Sequence, residues 1–315
     1  MSREKKDTCE EWKIQLRRDN PRISVGMPVY NGEPYLSDAI ASILCQTMAD
    51  FELIISDNSS TDGTEDICRR FAREDGRIRY TRNTENIGAA GNYNKVFDLA
   101  GGRYFRWANA DDLFEPQLHE KCIDVLENNP SAVLAYGKTK LIDDAGRVLR
   151  NYEDNLDLRQ ERASDRFLDF FQRVGLTNVI YGLMRSDAMR KTNLFGDGTI
   201  PAVDTRFMAE LTLQGQFVEI PQVLFYRRIH DASSSADRAD SEKQQNFWKP
   251  KGLGFQLPKS RLYLSYLKSI WKAPMSFWEK LRLFLLIGKW TLRQSPNIAL
   301  EILEYCKGKL FTRNI

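Results

Sequence analysis

Asp111 and Asp112 stand side by side directly after the apolar run Tyr104 to Trp107. Adjacent carboxylates repel each other and destabilise a fold unless a cation or several donors neutralise them. A hard divalent ion, Mg2+ or Mn2+, meets that need with one or two carboxylates plus phosphate oxygens, so the pair suits a diphosphate ligand. The same residues also fit a solvated loop capping the helix that starts near Pro116. Tyr30 and Asp57 each follow an apolar run as well. A ring and a carboxylate at neighbouring strand ends can stack on a nucleobase and accept its ring N–H; they also fit a turn tyrosine and a helix cap.

The elements that must position these groups are short apolar runs alternating with amphipathic stretches from Arg22 to about Tyr136, the pattern of parallel strands joined by helices. Ile23 to Val29 reads as a first buried strand, Pro34 to Leu44 as a helix with Leu36, Ile40, Ile43 and Leu44 on one face, and Phe51 to Ser56 as a second strand. Asp57 to Thr64 is dense in capping and turn residues and leads into a helix carrying Ile67, Arg70 and Phe71. Ile78 to Thr81 reads as a third strand. A helix after Asn86-Ile87-Gly88 ends at Gly101-Gly102, and the strand Tyr104 to Trp107 runs into the acidic pair. Ligands of open α/β sheets gather at the carboxyl ends of strands, where polar loops lie here.

Beyond Tyr136 the pattern predicts a hairpin from Lys140 to Leu149 and a charged connection through Arg162. Strands follow at Val179 to Met184, Phe217 to Ile220 and Leu224 to Ile229, with a helix near Val203 to Leu213 and a polar, mobile loop from Ser233 to Gln245. The loop Pro28 to Glu33 has neither GxGxxG spacing nor a Walker lysine, so hydride transfer and ATP hydrolysis lose support.

Together these segments resemble family 2 of the glycosyltransferases over roughly Arg22 to Ser235. Ser24 to Asn31 is similar to the family's opening strand, Ser42 to Thr47 to its S-x-L-x-Q-T helix end, and Phe51 to Thr64 to its nucleotide-binding strand and loop. Asn86-x-Gly88, Asn94 and Gly102 match the next helix. Asn109-Ala110-Asp111-Asp112 takes the place of the family's D-x-D-D, with Asn109 where the first aspartate stands. The resemblance implies a GT-A fold, an α/β Rossmann-like mixed sheet flanked by helices. It further implies inverting transfer of a sugar from a nucleotide-diphosphate sugar to an acceptor hydroxyl.

Donor contacts are implied at Pro28, Tyr30, Glu33, Asp57, Asn86, Asn94, Asn109 and Asp111, with Mg2+ or Mn2+ at Asp111 and Asp112. Ala202 to Phe207 looks like the segment bearing the catalytic base, commonly Glu-Asp; Val203 replaces the glutamate and Asp204 is the base by position. Locally, Asp204 also reads as a helix N-cap. Tyr226 to Ser235 is similar to a YRxHxxSxS element, which implies His230 as a ligand of the metal or diphosphate and Arg227 or Arg228 as phosphate partners. His119 reads as a surface residue. A sugar nucleotidylyltransferase would want a Gly-rich, Arg-containing loop after the first strand, which Met27-Pro28-Val29-Tyr30 is not. An inert nucleotide-sugar-binding or scaffold protein is the alternative that Asn109 and Val203 motivate.

With 315 residues, 42% hydrophobic and 28% charged, the chain can bury a sizeable core. Its formal charge of +3 does not argue for nucleic acid as a partner. From Phe247 to Ile315, however, thirteen Lys and Arg stand against three Glu, alongside Trp248, Trp271, Trp278 and Trp290. Between Ser276 and Arg293 the periodicity puts Phe277, Leu281, Phe284, Leu285 and Leu292 on one helical face and Arg282, Lys289 and Arg293 on another. Such a helix suits an anionic membrane surface, or packing on the catalytic domain or a partner subunit.

Five cysteines without CxxC spacing argue against a disulfide framework or zinc site and for a reducing compartment. Residues 1–20 read as a polar tail without the apolar core of a secretory signal, and no stretch approaches the ~20 apolar residues of a membrane span. Residues 21–235 read as the transferase domain, with nucleotide-binding and acceptor halves 21–136 and 137–235, and 236–315 as a basic, aromatic helical extension. The expected setting is the cytoplasm, at the inner face of a cell membrane, in synthesis of surface polysaccharide or a lipid-linked glycan. The oligomeric state is left open.

Overall fold

The computed structural model describes residues 21–200, 202–230 and 258–293. The tail 1–20, the loop Ser233 to Gln245 and Trp248 lie outside the described residues. Strands β1 (Ile23–Val29) and β2 (Phe51–Asp57) are buried along their whole length, which is why they read as unbroken apolar runs. They pair in parallel; β3 (Ile78–Arg82) continues the sheet beyond β2, and β4 (Tyr104–Trp107) lies beside β1. Helices α1 (Glu33–Leu44), α2 (Thr64–Glu74) and α3 (Gly88–Asp98) make the crossovers. Parallel strands present their carboxyl ends at one edge, so the loops that follow β1, β2 and β4 meet there.

The chain continues through β5 (Leu113–Phe114), α4 (Leu118–Asn128), β6 (Ala132–Ile142), β7 (Val148–Tyr152), α5 (Ala163–Arg173), β8 (Leu183–Arg185), α6 (Ser186–Met189), α7 (Val203–Thr212), β9 (Gln216–Arg228), α8 (Pro258–Lys272) and α9 (Phe277–Arg293). One mixed sheet runs β3-β2-β1-β4-β8-β6-β9-β5, with β7 paired to β6. Leu36, Ile40, Leu118 and Ile123 of α1 and α4 fill one core with Val25 and Leu53. Val96, Phe105, Trp107 and Phe207 form another, joined by Tyr266, Ile270, Leu283 and Ile287 of the two C-terminal helices. Gly102 fits where a side chain would not: a Cβ there would lie 2.5 Å from the Ser24 backbone nitrogen.

Several expectations change. The two strands read at Phe217 to Ile220 and Leu224 to Ile229 are one strand, β9. Its exposed Pro221 and Gln222 bulge out where the register with β6 jumps from Gly137–Ile220 to Lys138–Val223. Proline offers no N–H to the ladder, and a bulge is how a sheet absorbs one. Val179 to Met184 is not one strand, because Asn178–Tyr181 forms a 3-10 turn before β8. His119 is buried, not a surface residue: its ring packs edge-on against Phe51 at 5.2 Å. Helix α9 buries Leu283 and Ile287, which the inferred face omits, packs Phe284 of that face against the same core, and leaves Phe277 and Leu285 outside. Apolar residues nearly encircle this helix, so spacing alone does not choose a side. Among the described cysteines Cys68 and Cys122 are free and buried, whereas Cys45 is disulfide-bonded, which scattered spacing does not reveal.

Candidate active site

The loops after β1 and β2 are stitched together by side chains. Asn31 N–H donates to Ser60 Oγ and Gly32 N–H to Thr64 Oγ1, each at 2.9 Å. Thr61 N–H returns to Asn31 Oδ1 at 2.9 Å, and Gly63 N–H donates to Glu33 Oε2 at 2.8 Å. Glu33 therefore holds the second loop in place. Tyr30, 49% exposed, is the aromatic ring this frame presents outward. Asp57 is fully buried and accepts from Ser60 N–H (2.8 Å), Tyr80 Oη (2.9 Å) and Arg82 Nη1 (2.6 Å). Burial works against its charge, but these bonds outweigh that and hold its carboxyl below the usual range. Asn86 Oδ1 accepts from Asn58 Nδ2 and from the N–H of Gly88, whose φ of 76° suits glycine. Pro28 is buried in β1.

At the end of β4 the two aspartates differ sharply. Asp112 is 1% exposed; its Oδ1 accepts Arg228 N–H at 2.8 Å and its Oδ2 accepts Asn109 Nδ2 at 3.1 Å. Burial, with the neighbouring Asp111 charge, pushes its carboxyl up to about 8. The Asp111 side chain is 27% exposed, with Oδ2 3.0 Å from His230 Nε2. The His230 ring lies 4.9 Å from that of Tyr35, which also carries the Arg228 guanidinium 4.7 Å from its centroid. Tyr35 and Arg228 thus brace the imidazole and the acidic loop. Arg228 is itself buried: Nε donates to Asp111 O at 2.9 Å and Nη1 to Asp143 O and Asp144 O of the β6–β7 turn. Arg227 is partly buried, faces Asp112 electrostatically, and donates through Nη1 to Asn178 Oδ1 at 2.5 Å.

Asn109 explains its own presence. Its Oδ1 accepts Tyr93 Oη at 2.6 Å, while Nδ2 donates to Asp112 and to Tyr181 Oη at 2.7 Å. A carboxylate could not make those two donations. Beneath the loop Arg106 is fully buried, 3.8 Å from the Phe114 ring centroid, with Nε and Nη2 lacking hydrogen-bond partners. Burial lowers it to about 9, and Asp112 pulls the other way.

Asp204 lies in the first turn of α7, partly buried, its Oδ1 accepting Thr205 N–H at 2.7 Å. Val203 beside it is fully buried in the core, so this position presents no side chain to an acceptor. Phe207 of the same helix packs edge-on against Trp107 at 5.1 Å, tying α7 to β4 two residues before Asn109. Asn94 clamps the approach to α7: Nδ2 donates to Gly196 O at 2.7 Å and Oδ1 accepts Phe195 N–H at 3.1 Å.

The structure thus gathers Asn109, Asp111, Asp112, Arg227, Arg228 and His230, and sets Asp204 on a separate helix. Among the described residues no three His, Cys, Asp or Glu converge as a metal cage. Asp111 and His230 nevertheless fit as a two-ligand site whose remaining positions a diphosphate would fill, with Asp112 buried beside them. Sequence reasoning missed Tyr35, Tyr181, Arg106 and Asp154, whose types carry no motif and whose roles depend on long-range contacts. Asp154 is buried behind Arg227, its Oδ1 accepting Asn178 N–H at 3.0 Å, and burial raises its carboxyl to about 7.

Residues 24–189 match the family model described as Glycosyl transferase family 2. An uncharacterized glycosyltransferase of Methanocaldococcus jannaschii is 34% identical over 137 residues, 43% of this chain and 47% of the relative. Chondroitin synthase of Escherichia coli is 27% identical over 229 residues, 72% of this chain and 32% of the relative. The chain therefore spans less than half the length of these two curated relatives. Among solved structures, S. aureus TarS 1-349 in complex with UDP matches with a TM-score of 0.61 at 13% identity, over 87% of this chain and 71% of that one. That likeness is one of fold, and the GT-A architecture with a helical C-terminal region stands.

Asn109→Asp replaces two donations by a third carboxylate, so the metal-free chain should lose about 1–3 kcal/mol at neutral pH. Urea unfolding should show the deficit shrinking as the pH is lowered; equal stability at neutral pH would contradict the assigned bonds. For Asp154, about 7 folded against ~3.9 unfolded, the folded state keeps a proton that the unfolded state has released. Stability should therefore fall as pH rises from about 4 to about 7, and Asp154→Asn should flatten that slope. An unchanged slope in the variant would remove Asp154 as its source.

Proposed function

The chain belongs to glycosyl transferase family 2, and on that premise we propose that it moves a sugar, with inversion, from a nucleotide-diphosphate sugar to an acceptor hydroxyl. The observation that carries this reading is the convergence of Asp111 Oδ2 and His230 Nε2 at 3.0 Å above a buried Asp112. Asp111 and His230 would hold Mg2+ or Mn2+, which when bound supplies neutralisation of the departing diphosphate. Tyr30 stacks on the nucleobase, while Pro28, Glu33, Asp57, Asn86 and Asn94 shape the donor loops around it. Arg227 contributes positive charge to the diphosphate; Arg228, Asn109 and Asp112 hold the acidic loop in position.

Asp204 takes the proton of the acceptor hydroxyl as its oxygen attacks the anomeric carbon, and the carbon–diphosphate bond breaks on the opposite face. A single displacement inverts the centre. The UDP bound by TarS makes uracil the first donor base to try, and the chondroitin synthase among the relatives supports a polysaccharide acceptor. Residues 21–235 carry the reaction, on the cytoplasmic side of a cell membrane.

Asp204→Asn should bind nucleoside diphosphate as the parent does while transfer falls by about 100-fold or more. Nucleotide titration and a transfer assay on the donor found by screening nucleotide sugars check this. Substantial turnover in the variant would remove Asp204 from the role of base.

A further inference from the structure

Seven of the ten large hydrophobic side chains exposed among the described residues lie between Leu264 and Trp290. The inner faces of α8 and α9 are accounted for, since Tyr266, Ile270, Leu283 and Ile287 enter the core. The helices run antiparallel: Tyr263 meets Trp290 at 5.1 Å, and Lys280 Nζ donates to Trp271 O at 2.8 Å. Their outer faces repeat at helical spacing, Leu264, Lys268, Trp271 and Lys272 on α8, then Trp278, Arg282, Leu285 and Lys289 on α9. Trp278 is 75% exposed, Trp271 67%, Leu264 64% and Leu285 60%.

Scattered surface hydrophobics are ordinary, but a continuous aromatic face marks an interaction site. Its chemistry selects the occupant. Lysine is depleted from the centres of protein interfaces, yet here Lys268, Arg282 and Lys289 interleave with Trp and Leu. That arrangement fits a lipid headgroup layer, where rings sit at the acyl boundary and lysine stems extend to phosphates. From residue 258 to 293 eight Lys and Arg stand against Glu279 alone. Arg261 and Arg282 pair with Asp197 and Asp165, whereas among the residues whose side chains are described Lys268, Lys272 and Lys289 are exposed cations outside those pairs. Among the described residues no helix is long and apolar enough to cross a membrane.

We propose that the outward face of α8 and α9 docks on an anionic lipid surface, with Trp271, Trp278 and Leu285 entering the interface and Lys268, Lys272 and Lys289 meeting lipid phosphates. This docking stands apart from the chemistry assigned to Asp111 and Asp204, and it is tested without any donor or acceptor.

The full chain is to be sedimented with vesicles of phosphatidylcholine alone and of phosphatidylcholine mixed with phosphatidylglycerol, following tryptophan fluorescence. Binding to the mixed vesicles only, with a blue shift, is expected. Lys268→Glu, Lys272→Glu and Lys289→Glu together should weaken it by roughly 100-fold or more. Trp278→Ser with Leu285→Ser should abolish the shift, with thermal unfolding close to the parent because these side chains face outward. The proposal is overturned by no binding, by binding indifferent to lipid charge, or by binding that survives both sets of substitutions. It is equally overturned if these residues instead hold two copies of the chain together in solution, or if only a chain ending at Arg293 binds. The last result would make residues 294–315 the occupant of the face.

Discussion

The Asp112 carboxylate is buried between two strand ends far apart in the chain, and the acidic site takes its shape from how it is held. Arg228 N–H occupies one oxygen and Asn109 Nδ2 the other. The end of β9 is thereby fixed to the end of β4, and His230, two residues beyond Arg228, is carried to Asp111. Arg228 extends the same tie to the β6–β7 turn through Asp143 and Asp144. A buried charge requires such support, and burial together with the neighbouring Asp111 charge still raises the Asp112 carboxyl.

Two neighbouring carboxylates therefore do different things. Asp112 organises the loop and Asp111 faces outward with an imidazole beside it. Asn109 belongs to the same solution, because an amide donates to Asp112 where an aspartate would repel it. The departure from D-x-D-D that motivated an inert reading is thus a matched change within one hydrogen-bonded cluster. Val203 is similar: its side chain is part of the core, and the neighbouring Asp204 is the partly buried carboxylate in the first turn of α7.

Much of the first half was legible in the amino-acid sequence, because buried parallel strands are written as apolar runs such as Ile23 to Val29 and Phe51 to Ser56. Loop residues were legible as types but not as roles. Asp57, Asn86 and Asn94 hydrogen-bond to the frame, a choice fixed by partners 23 positions away for Asp57–Tyr80 and 102 away for Asn94–Gly196. Pro221 and Gln222 separate the two apolar runs read as strands, and the sheet absorbs them as a bulge. Helix α9 has apolar residues on nearly every side, so only packing decided that Leu283 and Ile287 turn inward.

In the function we propose, Asp111 and His230 form a cation site completed by the donor diphosphate. Calorimetric titration of Mn2+ into the chain, with and without UDP or GDP, tests it most directly, repeated on Asp111→Asn and His230→Ala. Tight Mn2+ binding only with a nucleoside diphosphate, lost in Asp111→Asn and weakened in His230→Ala, is the predicted result. Tight binding without nucleotide, or binding that survives Asp111→Asn, would contradict it.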